Sequence, residues 1–391
     1  MPETSPIYLD NNATTPLDGR VLDAMMPYLT EDFGNPSSST HAFGWTAGAA
    51  VDVAREELTE AIGASPKEIT FTSGATESDN MALLGMLRAG DHFITSATEH
   101  EAILETADHL AKAGVKVSVL PVDECGVVSP DALRETISSG TALVSIMLAN
   151  NETGTLNPVE ELAEVAHEHG VPFHTDAAQA LGKVPMNVED FGADMMSLSA
   201  HKAYGPKGVG ALYVRRRPTV GTRRFRLSPL LHGGGQERKL RSGTLNVPGI
   251  VGFGKAAEIV AGSLPKEGER VSSLRDRLHD RLRESIPGLR LNGHPEKRLP
   301  NTLNVSFPGV DVGDLLGAMP GVAASAGSAC ASLDAEPSRV LEAMGAEEKG
   351  SAAVRFSLGR FTTKEENERA GEMVVEAYER SAREKAASRK S

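Results

Sequence analysis

The chain has 391 residues, 40% of them apolar, enough for two domains or for one large α/β unit with a smaller partner, and for a full core. A formal net charge of −13 argues against a general binder of nucleic acid or anionic membrane, and without an apolar run of about 18 residues no transmembrane helix is expected. The two cysteines, Cys125 and Cys330, form neither a CxxC pair nor a metal-spaced set, so a reduced, cytoplasmic protein without a resident metal is expected.

The first residues, Met-Pro-Glu-Thr-Ser-Pro (1–6), lack both a basic region and an apolar core, and no signal peptide is expected. Tyr8-Leu-Asp-Asn-Asn-Ala-Thr-Thr-Pro (8–16) reads as a short strand start followed by turn formers and a proline. Gly34-Asn-Pro-Ser-Ser-Ser-Thr-His (34–41) is a loop, and Ala47 to Ile62 carries a helical apolar rhythm. From residue 69 to 214 short apolar runs alternate with helical stretches. The runs Ile69–Thr72, His92–Thr95, Val115–Val119, Ala142–Leu148, Val171–Thr175, Met195–Leu198 and Ala211–Val214 read as strands. Such alternation predicts an α/β fold with a mainly parallel seven-stranded sheet between helices. One helix has explicit ends, with Asn157 as N-cap, Pro158 at the first position, Glu160 as capping-box partner and Gly170 as terminator.

Gly233-Gly-Gly-Gln-Glu-Arg (233–238) and Arg241-Ser-Gly-Thr-Leu-Asn (241–246) are loops by composition. Gly252-Phe-Gly-Lys-Ala-Ala (252–257) looks like a dinucleotide fingerprint, but Pro248-Gly249 stands where a strand is required, and that reading fails. Leu264 to Gly268 predicts a turn-rich hinge, with a charged amphipathic helix after it at Val271–Ile286. The run 322–337, nearly all small residues around Cys330, predicts a mobile loop. Arg355-Phe-Ser-Leu-Gly-Arg-Phe (355–361) predicts a strand, and Glu366 to Ser391 a long helix whose basic last turn suits the dipole. The expected division is a large domain over 15–262 and a smaller α+β domain built from 1–14 and 263–391.

The candidate chemistry gathers where strands end. Asp176 closes one run and Lys202 lies just beyond the next. In isolation they would read as a helix cap and a surface charge. The small and glycine residues around His201-Lys202 would instead admit a planar ring. A lysine amine can then tether the aldehyde of pyridoxal phosphate while a carboxylate pairs with its ring nitrogen. Ser73-Gly-Ala-Thr-Glu-Ser (73–78) opens a helix, and serves either as a simple cap or as an anion site to which Thr76 adds a hydroxyl. His100 stands at a strand's carboxyl end, where ligands collect in open α/β sheets. Asn150-Asn-Glu-Thr-Gly (150–154) follows another strand and suits a turn. Arg355 can take a carboxylate through two parallel hydrogen bonds. Cys125, in an Asp-Glu-Cys-Gly turn, is expected to be inert, whereas Cys330 sits on a segment able to bring it to a substrate.

Asp-Ala-Ala-Gln (176–179), Ser-Ala-His-Lys (199–202) and Gly-Pro-Lys-Gly (205–208) resemble the cofactor region of the NifS/IscS-type cysteine desulfurases, pyridoxal-phosphate enzymes of fold type I in the class V aminotransferase superfamily. The resemblance extends from about Tyr8 to Phe361 and includes Ser-Ala-Gly-Ser-Ala-Cys (325–330), which is similar to the catalytic loop of these enzymes and to its long-loop subgroup. It implies that Lys202 carries the cofactor and takes the Cα proton, that His100 stacks on the ring and handles protons, and that Asp176 keeps the ring protonated. It further implies that Ala75, Thr76, Ser199 and His201 belong to the cofactor site, that Asn151 and Gln179 meet the ring oxygen, and that Asn151 and Arg355 meet the substrate. The Asp10–Thr15 segment would run close to that substrate, and Thr244 would reach the phosphate of a second subunit, making the protein an obligate homodimer.

The implied reaction converts L-cysteine to L-alanine, with Cys330 as thiolate taking the sulfur as a persulfide. An iron–sulfur scaffold or another acceptor protein would receive it, and Cys330 is itself a candidate transient cluster ligand. A selenocysteine lyase or a class V aminotransferase would share the cofactor apparatus, the latter without need of Cys330. A non-catalytic sulfur-relay or regulatory partner could lose either Lys202 or Cys330, and both are present.

Overall fold

The computed structural model describes residues 6–217, 219, 222, 225–326, 338–346 and 351–388. Seven strands form one sheet in the spatial order Ile69–Thr72, Gly210–Val214, Met195–Ser199, Phe173–Asp176, Thr141–Ser145, His92–Ser96 and Lys116–Leu120. Gly210–Val214 is antiparallel to both neighbours, and every other pairing is parallel. Six strands therefore share one direction, and their carboxyl ends line one edge. Five of those six are apolar or small enough to be buried along almost their whole length, as a sheet covered on both faces requires. Lys116–Leu120, at the rim, is half exposed.

One face packs against the helices Ala42–Ile62, Val159–Glu168 and the start of Val247–Ser285, through side chains such as Leu58, Ile94, Leu162, Met196 and Phe253. The other packs against Ala75–Met86 and Glu101–Lys112, through Met81, Leu83, Phe93, Ile103 and Leu143. The helix Ala42–Ile62 starts earlier than the apolar rhythm from Ala47 predicts, because the His41 ring accepts from Gly44 N and caps it.

The capping assignment at Asn157 is corrected. The helix runs Val159–Glu168 with Pro158 at its cap, and the Asn157 amide is used elsewhere, accepting from Val128 N at 3.0 Å and donating to Met147 O at 2.9 Å. Gly170 does end the segment, with φ of +70°.

The predicted hinge at Leu264–Gly268 is also corrected. Val247–Ser285 is one continuous helix with Pro265 inside it. Its first half is long and apolar enough to pass for a membrane span, but Ile250, Phe253, Ala257 and Val260 are taken up by the main core. Its second half gives Val271, Leu274, Leu278 and Leu282 to another core, shared with Leu303, Val305, Phe307, Val354, Phe356 and Val374. These last line an antiparallel sheet, Arg290–Asn292, Thr302–Pro308 and Ser351–Ser357, and the helix Lys364–Ser388. The N-terminal strand Ile7–Tyr8 pairs in parallel with Val322–Ala323 in the same region.

The long helix continues through Pro265, and side-chain contacts tie this stretch to the rest of the chain. Arg360 donates to Glu267 at 2.7 Å, Ser263 at 3.3 Å and Asp18 at 3.0 Å, and its guanidinium lies 4.4 Å from the Tyr204 ring centroid. Arg270 donates to the carbonyls of Gly359, Arg360 and Thr362. Arg360 thus rivets the strand that carries Arg355 to the turn that follows Lys202. Arg360→Ala leaves the largely buried Glu267 and Asp18 without this partner, and is expected to cost up to about 3 kcal/mol. Thermal melting should show a fall of several degrees, only partly recovered by Arg360→Lys, whose point charge cannot reach three acceptors at once.

Candidate active site

The carboxyl edge of the sheet opens into a cavity of about 510 Å³. Ten of the residues singled out in the sequence line it: Ala75, Thr76, His100, Asn151, Asp176, Gln179, Ser199, His201, Lys202 and Arg355. Nine of them arrive from the carboxyl ends of five strands of the main sheet or from the turns just beyond, and Arg355 arrives from the smaller sheet. Thr244 does not line this cavity; it is exposed on the 241–246 loop. Cys330 lies outside the described residues.

At one end of the cavity is the turn Ser73-Gly74 and the first turn of the helix Ala75–Met86, whose leading N–H groups have no intrahelical acceptor. The turn lies directly on the sheet. A Cβ at Gly210 would come within 2.6 Å of the Gly74 Cα and the Leu198 carbonyl, so only glycine lets the two segments meet. Ser199, His201 and Lys207 line the same cavity. His201 shares a 3.1 Å hydrogen bond with the Thr14 hydroxyl, and burial, with Lys202, Lys207 and Lys183 nearby, pushes its pKa down to about 4. It is a neutral imidazole at physiological pH.

The Lys202 amine donates to the carbonyls of Asn12 at 2.5 Å and Ala13 at 2.8 Å. Asp176 accepts from Ala178 N at 2.8 Å; burial raises its pKa, opposed by His100, that N–H and Lys202. His100 caps the helix Glu101–Lys112 by accepting from Ala102 N, which fixes its ring at the cavity wall. Gln179 donates to the Asn12 carbonyl at 2.9 Å. Arg355 is 1% exposed, donates to Asp10 at 2.7 Å and to the Asn151 carbonyl at 3.0 Å, and its Nε–H has no partner among the described residues.

The segment Asp10–Thr14 is more central than its composition suggested. Asn12 alone bonds to Asn151, Gln179, Lys183, Lys202, Asn301 and Thr302. Its turn formers signalled a loop, but not that the loop would be roofed by both sheets. A second missed feature is the packing behind Asp176. His174 is held between Ser145 and Ser197 at 2.8 and 3.0 Å, and burial pushes its pKa down to about 3. Asp79, 3.7 Å from it, is wholly buried, and burial with Asp176 nearby raises its pKa. The loop that carries Thr244 is anchored by Glu237, whose carboxylate accepts from Arg55 at 2.7 Å and from Phe71 N at 2.9 Å. Arg241 then pairs with Glu77 at 2.8 Å beside the Ser73-Gly74 turn.

Glu99 accepts from Ser96 at 2.7 Å and Met147 N at 2.9 Å, while its other oxygen has no partner. Burial pushes its pKa from an ordinary 4.5 up to about 8. Between those values the unfolded chain has released this proton and the folded chain has kept it, so stability falls as pH rises and levels off above about 8. Glu99→Gln removes that dependence. In the cofactor-free protein its melting temperature should gain on the wild type between pH 5 and 8, by an amount equivalent to about 1–4 kcal/mol.

Comparisons with known proteins bear on this geometry. The family model described as Aminotransferase class-V matches residues 7–369. A protein of Anaeromyxobacter sp. (strain Fw109-5) named cysteine desulfurase IscS is 52% identical over 376 residues, covering 95% of this chain and 92% of the relative. Among solved structures, a NifS-like protein superposes with a TM-score of 0.87 at 39% identity, over 95% of this chain and 98% of that one. SspA in complex with cysteine superposes with a TM-score of 0.79 at 37% identity, over 91% and 99%.

Proposed function

Because the chain belongs to the class-V aminotransferase family and, within it, to the cysteine desulfurases, we propose that its cavity holds pyridoxal phosphate and removes sulfur from L-cysteine, leaving L-alanine. The observation that carries this reading is the convergence of ten expected side chains on one cavity. The residues fit the cofactor. Backbone N–H groups at Ala75 and Thr76, with Ser199 and His201, suit a phosphate. A buried carboxylate at Asp176 suits a ring nitrogen, and the Lys202 amine stands in the same cavity. When bound, pyridoxal phosphate supplies an aldehyde for covalent attachment and a ring that draws electron density from the substrate Cα.

The chain's own groups then have distinct tasks. Asp176, held by Ala178 N, presents its carboxyl group to the cavity. Lys202 takes the Cα proton and His100 shares in proton handling. Arg355 and Asn151 receive the substrate carboxylate, with Asp10 and the Asn151 carbonyl fixing the guanidinium beforehand. Cys330, as thiolate, attacks the substrate sulfur and carries it away as a persulfide. An iron–sulfur scaffold or another acceptor protein takes it onward. The relative SspA, solved with cysteine, supports the choice of substrate.

We further propose a homodimer in which Thr244 completes the partner copy's phosphate site. Leu22, Met26 and Leu29 form one exposed stripe on the helix Gly19–Thr30, and Phe33, Phe43 and Trp45 continue as exposed apolar groups beyond it. Light scattering should give twice the monomer mass for the wild type. Leu29→Asp with Phe33→Asp should shift it toward monomer and weaken cofactor retention; a wild-type monomer would overturn the assignment.

The central test mixes protein, pyridoxal phosphate and L-cysteine and measures alanine and sulfide. Lys202→Ala should lose the bound cofactor's visible absorption and about 10²–10⁴-fold in alanine formation. Alanine formation unaffected by Cys330→Ala would exclude persulfide chemistry.

A further inference from the structure

We propose that Lys183, which none of the roles above uses, is a positioning residue that sets the orientation of the Gln179 amide toward the cofactor. Its amine donates to Gln179 Oε1 at 2.7 Å and to Asn12 Oδ1 at 3.3 Å. A lysine amine, charged or neutral, offers only hydrogens to these amide oxygens here. The Gln179 oxygen must therefore turn away from the cavity to meet it, and the Gln179 nitrogen must turn the other way. One hydrogen of that nitrogen goes to the Asn12 carbonyl at 2.9 Å. The other is left for an acceptor in the cavity that Gln179 lines. Without Lys183 the orientation rests on the Asn12 carbonyl alone, and the amide is freer to rotate and present an oxygen to the ring oxygen, which would repel it.

The placement of Lys183 is rigidly determined. Gly182 before it takes a φ of +75°, and a Cβ there would sit 2.7 Å from Val260 on the long helix. Lys183 N and Val184 N both donate to the Ala180 carbonyl, at 2.9 and 3.1 Å, closing the turn. No carboxylate pairs with the Lys183 amine among the described residues. Its charged neighbours are the cations Lys202 and Arg355, and burial together with those two pushes its pKa well below the ordinary lysine range. A lysine in such company is poorly explained as a surface charge or a salt-bridge partner. Donating hydrogens to two amides requires no charge, and suits it.

This inference rests on the reading of the cavity as a pyridoxal-phosphate site, and a double-mutant cycle separates the two. Cofactor-free wild type, Lys183→Met, Gln179→Ala and the double variant are titrated with pyridoxal phosphate, and dissociation constants are taken from the visible absorption. Lys183→Met should weaken binding about fivefold, the worth of one net hydrogen bond. In the Gln179→Ala background the same change should have no further effect, because its target is gone. Additive losses, or an unchanged dissociation constant in Lys183→Met, would overturn the role of Lys183 while leaving the cofactor site intact. A wild type that gains no visible absorption would overturn the cofactor site itself. If Lys183→Met does not fold, the same cycle with Lys183→Leu, which likewise has no donor, carries the same expectation of non-additivity.

Discussion

A shared strand direction is the constraint on which the site depends. Six of the seven strands run one way, so every connection that leaves their carboxyl ends must pass along the same edge before turning back into a helix. Thr72, Ser96, Ser145, Asp176 and Ser199 end their strands there, and His100, Asn151 and Lys202 follow within a few residues. Chemistry that is scattered over more than a hundred residues of chain becomes local because the sheet allows no other exit. Burial of both faces then holds the strands in place, since each contributes side chains to two separate cores.

The same burial explains why polar groups near this edge are so tightly held or so strongly shifted. His174, Glu99 and Asp79 are all at the back of the cavity wall, where water cannot reach them. His174 is fitted with partners, between two serines, whereas one oxygen of Glu99 finds none among the described residues. Such groups are costly to the fold, and they lie behind Asp176.

Much of this was legible in the sequence, for identifiable reasons. Six of the seven strands of the main sheet were visible because doubly covered strands are nearly continuous apolar runs, and the site residues were visible because they punctuate the ends of those runs. What was not legible depends on contacts distant in sequence. Asn157 has the residue type of an N-cap, but Val128 and Met147 claim its amide. Pro265 and the nearby Gly268 look like a hinge, but Arg360 reaches the helix from nearly a hundred residues away and Arg270, on the helix, reaches back to the Arg360 carbonyl. Asn12 and Lys183 are ordinary by local pattern, and only the folded chain brings them together. The resemblance to the desulfurases located residues that physics alone left ambiguous, such as Asn151, whose turn composition would suit any loop.

The strand Ile7–Tyr8 lies beside Val322–Ala323, and Asp10 meets Arg355 across 345 residues of chain. On a ribosome, the first segment to emerge must therefore wait for almost the last before either has its neighbour. The main sheet can assemble as it is synthesised, but the roof over it cannot. A nascent chain stalled between the end of the main sheet and Ser351 would carry Asp176 and Lys202 but neither Arg355 nor the pairing that holds Asp10.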